Sequence, residues 1–409
     1  MKTVFVLVDA LKSLYLTEEN MPFLYSLSSQ GYYIKQIIPC SGFCERSEIF
    51  SGLDGYDTGN FTAIGFLPEK SPYRNNGAIL KLFGLADSFS SRIARKLFSK
   101  WRIGKRKPLN AYRIPFKSLS KFALTEDGGF KLIEHRDIFQ VLEEKGMTYS
   151  SDGFTSLADF GRRTLLPVTA LAEREIKRGI DFIPLYIGAT DSAGHKYGDD
   201  MLSIKPILRE VDNQLQTIYS AASKAGYCFC VLGDHGMVPV KHKIDVQAYI
   251  KKTNLRLHKD YEVFYDSTMA RFWFYNEDAK KKIASVLMEN LQQYGFVVNK
   301  ANCQNYRVPL DIINQDGHPV YGNIVWCANP GVLVSPNFFH SRKASENGMH
   351  GYIEVVEGHG TGLFVMMSSE TKHTEIERAP SSQICGELCK SLDIECPNNK
   401  EWKRIVLLR

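Results

Sequence analysis

Three stretches of this chain follow one pattern: a short, unbroken apolar run, rich in β-branched side chains, that stops at an aspartate. They are Thr3 to Val8 before Asp9, Phe182 to Ile187 before Gly188-Ala189-Thr190-Asp191, and Tyr227 to Leu232 before Gly233-Asp234. Continuous apolar runs of this length suit strands buried on both faces, as in a largely parallel sheet covered by helices. In such sheets, ligand sites gather outside the carboxyl ends of the strands. Between the runs, Asn20 to Gln30, Asp137 to Glu144 with Gly146 as a stop, Leu165 to Arg178, and Ile204 to Ala225 carry apolar residues at helical spacing. Strands alternating with helices predict an α/β fold with helices on both faces of the central sheet.

Two regions break the alternation. Residues 66–135 are rich in Gly, Pro, Asn and basic residues and read as a basic insertion, a lid or a surface-binding element. Residues 241–344 carry strand patterns at Ala270 to Tyr275, Phe296 to Asn299, Asn323 to Cys327 and Gly331 to Val334, with a helical pattern from Asp278 to Gln293. They read as a small α+β inserted subdomain. The core is then discontinuous: 1–65, 136–240 and 345–409.

Composition narrows the class. The chain has 409 residues, 44% hydrophobic and 23% charged, enough to bury a sizeable core. No run approaches the roughly 20 apolar residues needed to span a bilayer. The apolar run after Met1 is too short for a signal peptide and reads as the first buried strand. Nine cysteines, scattered and odd in number, predict reduced thiols and a cytoplasmic location. Cys228-Phe229-Cys230 lies in an apolar run with no second pair, and reads as core strand, not zinc site. The net charge is +6, yet eight basic and no acidic residues fall between Arg92 and Lys107, so the remainder is close to neutral. That balance excludes a general nucleic-acid binder. The segment 92–107, with Ile93, Ala94, Leu97, Phe98 and Trp101 at helical spacing, reads either as a cationic amphipathic helix for an anionic membrane or polyanion, or as a lid helix over the core.

The candidate chemistry sits just past the three strands. Gly233-Asp234-His235-Gly236-Met237 sets a carboxylate beside an imidazole on a glycine-flanked turn, suited to one metal ion. Asp191 and His195, four apart, share a face if the segment is helical. Gly348-Met349-His350-Gly351-Tyr352 offers a histidine between glycines, with His359 as its rival. Each is weak alone; together, at the ends of three predicted strands, they point to a metal centre.

Asp9, Asp191-xxx-His195, Asp234-His235-Gly236-Met237 and Gly348-Met349-His350-Gly351-Tyr352, in this order, resemble the nucleotide pyrophosphatase/phosphodiesterase branch of the alkaline phosphatase superfamily. The tail from Glu375 to Asn399 is similar to the close of that family's catalytic domain. The resemblance implies an alkaline phosphatase-like core with inserted cap regions and two divalent metal ions, zinc as a rule, with manganese permitted by the donor set. It implies that Asp191, His195 and His350 hold one ion and that Asp9, Asp234 and His235 hold the other. The implied substrate is a phosphorylated small molecule or nucleotide.

The family's nucleophile, a threonine or serine, stands ten residues before the glycine of a Thr-Gly or Ser-Gly pair. Here the pair is Ser51-Gly52, and ten residues back lies Gly42, which has no side chain. Ser41 is the nearest hydroxyl and the expected nucleophile of a covalent phospho-enzyme; Cys44, beside Arg46, is the runner-up. Asn60 is a candidate for holding a non-bridging oxygen, and Tyr56, Phe61 and Tyr73 for stacking on a base or sugar. The reading is a phosphodiesterase or nucleotide pyrophosphatase. A phosphomonoesterase, phosphosugar mutase or sulfatase of the same superfamily, and a binding protein with a decayed site, stand as alternatives. Six intact ligands argue against decay.

Overall fold

The computed structural model describes residues 1–84, 114–124, 131–150, 166–339 and 345–398. The basic stretch 92–107, with its two readings as a membrane or polyanion helix and as a lid, lies outside the described residues.

The chain opens on β1 (Thr3–Val8), α1 (Pro22–Ser28), β2 (Tyr32–Ile38) and α2 (Glu45–Ser51). After the first inserted region come α3 (Ile138–Glu144), α4 (Val168–Arg178), β3 (Phe182–Ile187), α5 (Ala189–Tyr197), α6 (Met201–Lys224) and β4 (Cys228–Gly233). The second inserted region contributes β5 (Tyr261–Tyr265), β6 (Met269–Phe274), α7 (Glu277–Asn290), β7 (Gly295–Asn299) and β8 (Ile324–Ala328). The chain returns to the core with β9 (Gly362–Met367), β10 (Thr374–Pro380) and α8 (Gln383–Leu392).

Among the described residues the central sheet has six strands, in the order β10-β2-β9-β4-β1-β3. β1 pairs in parallel with both β3 and β4, and β10 pairs in parallel with β2. β9 alone is antiparallel, inserted between β4 and β2. The expected largely parallel sheet is therefore present, with one reversed strand near its middle.

Alternation along β1 explains the two layers of helix. Val4, Val6 and Val8 enter one apolar cluster with Leu171 of α4, Ala193 of α5, and Ile204, Leu208, Val211, Leu215 and Ile218 of α6. Phe5 and Leu7 enter the opposite cluster with Ile49 and Phe50 of α2, Ile138 and Leu142 of α3, and Ile384 and Leu388 of α8. These five apolar side chains of β1 are fully buried, each contributing roughly 2 kcal/mol of transfer free energy.

Helix starts follow local chemistry. Pro22 fixes the first residue of α1, which is shorter than the apolar pattern suggested. Asp137 caps α3 in a reciprocal capping box with Gln140.

β5 to β8 form a second, antiparallel sheet in the order β7-β8-β6-β5. Its apolar face shares one cluster with Phe66, Phe116 and Phe122 from the described part of the first inserted region. Phe66 stacks on Trp273 at 5.1 Å between ring centroids.

Candidate metal centre

Because β1, β3 and β4 are neighbours in parallel register, their carboxyl ends form one rim. Asp9 follows β1, and Ala10 after it takes φ of 55°, a left-handed conformation uncommon for a residue with a side chain. The turn lets the Ala10 N–H donate to Asp234 Oδ1 at 3.2 Å, so the end of β1 is tied to the end of β4. Gly236 is required by close approach: a Cβ there would lie 2.1 Å from the His359 carbonyl oxygen. Asp191 sits in the first turn of α5 and His195 in its last, facing the same way.

The six expected ligands meet in two triads. Asp9, Asp234 and His235 form one and Asp191, His195 and His350 the other, each with its ligand atoms within 4.8 Å of one another. His235 Nε2 stands 3.1 Å from Asp9 Oδ1 and 3.8 Å from Asp234 Oδ1. His195 Nε2 stands 3.1 Å from Asp191 Oδ1, and His350 Nε2 3.6 Å from the same oxygen. The His235 and His350 rings stack in parallel, 3.9 Å between centroids, and join the triads.

The donor set fits divalent cations. His195 Nδ1 donates to the Gly348 carbonyl at 2.9 Å, and His235 Nδ1 donates to the Gly236 carbonyl at 2.8 Å. A carbonyl only accepts, so these contacts hold the protons on Nδ1 and turn the Nε2 lone pairs toward the carboxylates, the usual support of a metal-bound histidine. Tyr186, near the end of β3, donates to Asp9 Oδ2 at 2.6 Å, and Thr190 donates to the Asp9 carbonyl. Asp191 Oδ1 and His350 Nδ1 are buried without a hydrogen bond. Carboxylate oxygens and imidazole lone pairs face one another with few donors between them, and that arrangement calls for a cation.

Without metal, protons take part of that role. Burial alone would raise Asp9, but its hydrogen bond to His235 and the charges of His235 and His350 hold it well below the carboxylate range. Burial, with the negative charges of Asp9 and Glu45, pushes Asp234 up to about 7 against the pull of His235. Burial opposes the charge on His235, yet Asp234 and Asp9 raise it well above an ordinary imidazole. Burial and its two histidine neighbours press His350 well below.

Several other expected residues are engaged elsewhere. Ser41 Oγ donates to the Tyr306 carbonyl at 3.1 Å, tying the β2–α2 turn to the second inserted region. A hydrogen bond with Cys40 draws the Cys44 thiol down, but burial and the charges of Glu48, Glu45 and Asp54 push it up to about 11, far from a reactive thiolate. Gly42 has φ of +87°, and a Cβ there would lie 2.4 Å from the Phe61 carbonyl oxygen, so the backbone itself excludes a side chain. Asn60 accepts from Leu132 N and Ile133 N at 2.8 and 3.0 Å and donates to the Ile133 carbonyl at 2.9 Å. Its buried amide staples a loop and is spent on that loop. His359 falls outside both triads, 3.5 Å from Asp199. Phe61 and Tyr73 are buried in apolar clusters, and Tyr56 lies under the Arg307 guanidinium.

Sequence reasoning missed two residues that share the site. Glu45, the first residue of α2, brings a carboxylate oxygen within 4.8 Å of ligand atoms on both His235 and His350. Tyr186 reaches Asp9 from inside an apolar run that reads only as strand. Arg46, considered only as a neighbour of Cys44, lies 5.3 Å over the Tyr186 ring at the rim.

A sheet edge that gathers two triads of carboxylate and imidazole donors is a candidate centre for two divalent cations. The type I phosphodiesterase / nucleotide pyrophosphatase family matches residues 73–353, more than half of the chain, and the chain belongs to that family. Human ectonucleotide pyrophosphatase/phosphodiesterase 5 has a similar structure, with a TM-score of 0.69 at 15% identity, covering 98% of this chain and 97% of that one. The murine protein superposes with a TM-score of 0.68 at 15% identity over 98% and 97%. An inactive murine variant in complex with AMP gives the same TM-score, identity and coverage. The chain has no significant match among curated proteins.

Proposed function

We propose that this protein hydrolyses a phosphodiester or nucleotide pyrophosphate bond with the help of two divalent metal ions, zinc or manganese. The observation that carries the reading is the pair of triads joined by the stacked His235 and His350 rings. Bound there, two divalent ions supply Lewis-acid neutralisation of the attacking and departing oxygens of an in-line displacement.

The chain's own residues do the rest. Asp9, Asp234 and His235 would hold one ion, and Asp191, His195 and His350 the other. The Gly236 and Gly348 carbonyls fix the imidazole orientations, and Tyr186 holds Asp9 in place. Arg46 sets a permanent positive charge over the Tyr186 ring at the rim, which favours an anionic substrate there. The AMP complex of the murine relative favours a nucleotide as the substrate. We assign the hydrolase core to 1–65, 136–240 and 345–409, with 66–135 and 241–344 as insertions that share a core against its rim.

The test compares bis-p-nitrophenyl phosphate, p-nitrophenyl phosphate and p-nitrophenyl sulfate as substrates of chelated and of zinc- or manganese-loaded protein. The expected result is two ions per chain by elemental analysis and a preference for the diester that vanishes on chelation. Equal diester turnover in metal-free protein would overturn the proposal.

A further inference from the structure

We infer that Glu45 is a seventh residue that would hold metal at this centre, its carboxylate beside one histidine of each triad, and that it stands in place of the family's hydroxyl nucleophile, so that water attacks phosphorus directly. The inference rests on the two-metal reading above and concerns how that site is completed.

Geometry singles out Glu45. An acid in the first turn of a helix is ordinarily explained by the helix dipole. Here, though, the carboxylate reaches ligand atoms of one histidine from each triad, His235 and His350. It lines the same small cleft as His235, His350, Cys40 and Tyr352. A carboxylate offers two oxygens to cations and cannot itself form the oxygen–phosphorus ester of a hydroxyl nucleophile's covalent intermediate without becoming a mixed anhydride.

The turn that precedes α2 supports the same conclusion. The family position for the nucleophile falls on Gly42, whose left-handed φ and contact with Phe61 leave no room for a side chain. The flanking hydroxyl of Ser41 is committed to the Tyr306 carbonyl. The Cys44 thiol groups with Cys40 and Glu48 and belongs to neither triad. Among the described residues of this turn, no hydroxyl or thiol is offered to the triads, and a carboxylate is.

In the direct reaction, the water oxygen forms the new bond to phosphorus as the bond to the departing oxygen breaks. One hydrogen of the water stays on the phosphoryl product and the other leaves on the departing alcohol. A diester and water thus give a monoester and an alcohol, with no bond to the protein at any point.

Two measurements test this on the full chain. The first is titration of metal-free wild-type, Glu45→Gln and Glu354→Gln protein with zinc, together with the visible absorption spectrum after cobalt substitution. Glu354 lines the same cleft but belongs to neither triad nor the Glu45 group. Glu45→Gln is expected to weaken binding of at least one ion by about 10- to 100-fold and to shift the cobalt spectrum, whereas Glu354→Gln changes neither. Glu45→Asp, which keeps the charge, recovers part of the affinity and shows that the loss is not one of folding. The second is the stereochemistry of hydrolysis of a diester chiral at phosphorus, expected to be inversion. Two ions bound with unchanged affinity and spectrum in Glu45→Gln, or retention with a trapped phosphoserine, would overturn this inference and leave the two-metal reading intact. No ion bound by the wild-type chain would instead remove both.

Discussion

The two triads differ in how deeply they sit. Asp234 and His235 keep only 6% and 5% of their side chains exposed, whereas Asp191 and His195 keep 24% and 25%. The first pair grows from the end of a central strand and the second from a helix on the rim. In the deep triad, burial pushes Asp234 up to about 7, while the His235 hydrogen bond and the charges of His235 and His350 hold Asp9 down against burial. Around the open triad solvent competes with the ligands. One half of the centre is thus part of the fold and the other is closer to a binding site, so losing a ligand means different things in each.

The largest effect is expected from His235→Ala, which removes the imidazole from beside the Asp9 and Asp234 carboxylates and leaves them the Tyr186 hydroxyl and backbone N–H groups alone. Diesterase kcat/KM should fall by about 10⁴-fold, with a lower Tm in the metal-free protein. His195→Ala should cost about 10²-fold and recover on adding excess zinc, since the open triad can be repopulated by mass action. Equal losses and equal rescue would erase the distinction. Chelation followed by time-resolved metal release should show two phases, roughly 10-fold apart in rate, with the open triad emptying first. Tyr186→Phe removes the donor to Asp9 and should weaken the deep site by about 10-fold in metal titrations while sparing the other.

The smallest effect on activity is expected at Glu48, behind the site on α2. Burial pushes this carboxyl up to about 8, against the hydrogen bonds it accepts from Ser381 and Gly55. The folded state therefore binds a proton that the unfolded chain gives up near 4.5. Its stability contribution is complete below that value and is lost as pH rises toward 8. Glu48→Gln should flatten the fall of Tm between pH 5 and 8 and add roughly 2 kcal/mol at pH 8, with metal affinity unchanged.

Much of the fold was legible because burial leaves a strong mark on sequence. β1, β3 and β4 are buried on both faces, so their runs are uniformly apolar and end sharply at the rim. β10 was not legible in the same way: it is an edge strand of mostly exposed side chains, Thr374-Glu375-Ile376-Glu377-Arg378, with no apolar run to betray it. The candidate ligands stood out as acids and histidines beside glycines. Glu45 did not, because an acid at the start of a helix is ordinary until the fold brings His350 from about 300 residues away to face it. Asn60 shows the converse. Its residue type suited a phosphate ligand, but two backbone N–H groups from the 131–135 loop claim its oxygen, a pairing that no local pattern encodes.

β9 also governs how the molecule is made. Among the described residues it is the strand that joins the β2–β10 half of the sheet to the β4–β1–β3 half, and it follows both β2 and β4 along the chain. Until the ribosome has released residue 367, β2 and β4 each present an unsatisfied edge, and His350 has only just emerged. Nascent chains shorter than this should therefore need a chaperone to stay soluble, and assembly of the two halves and of the centre between them should wait until β9 has emerged.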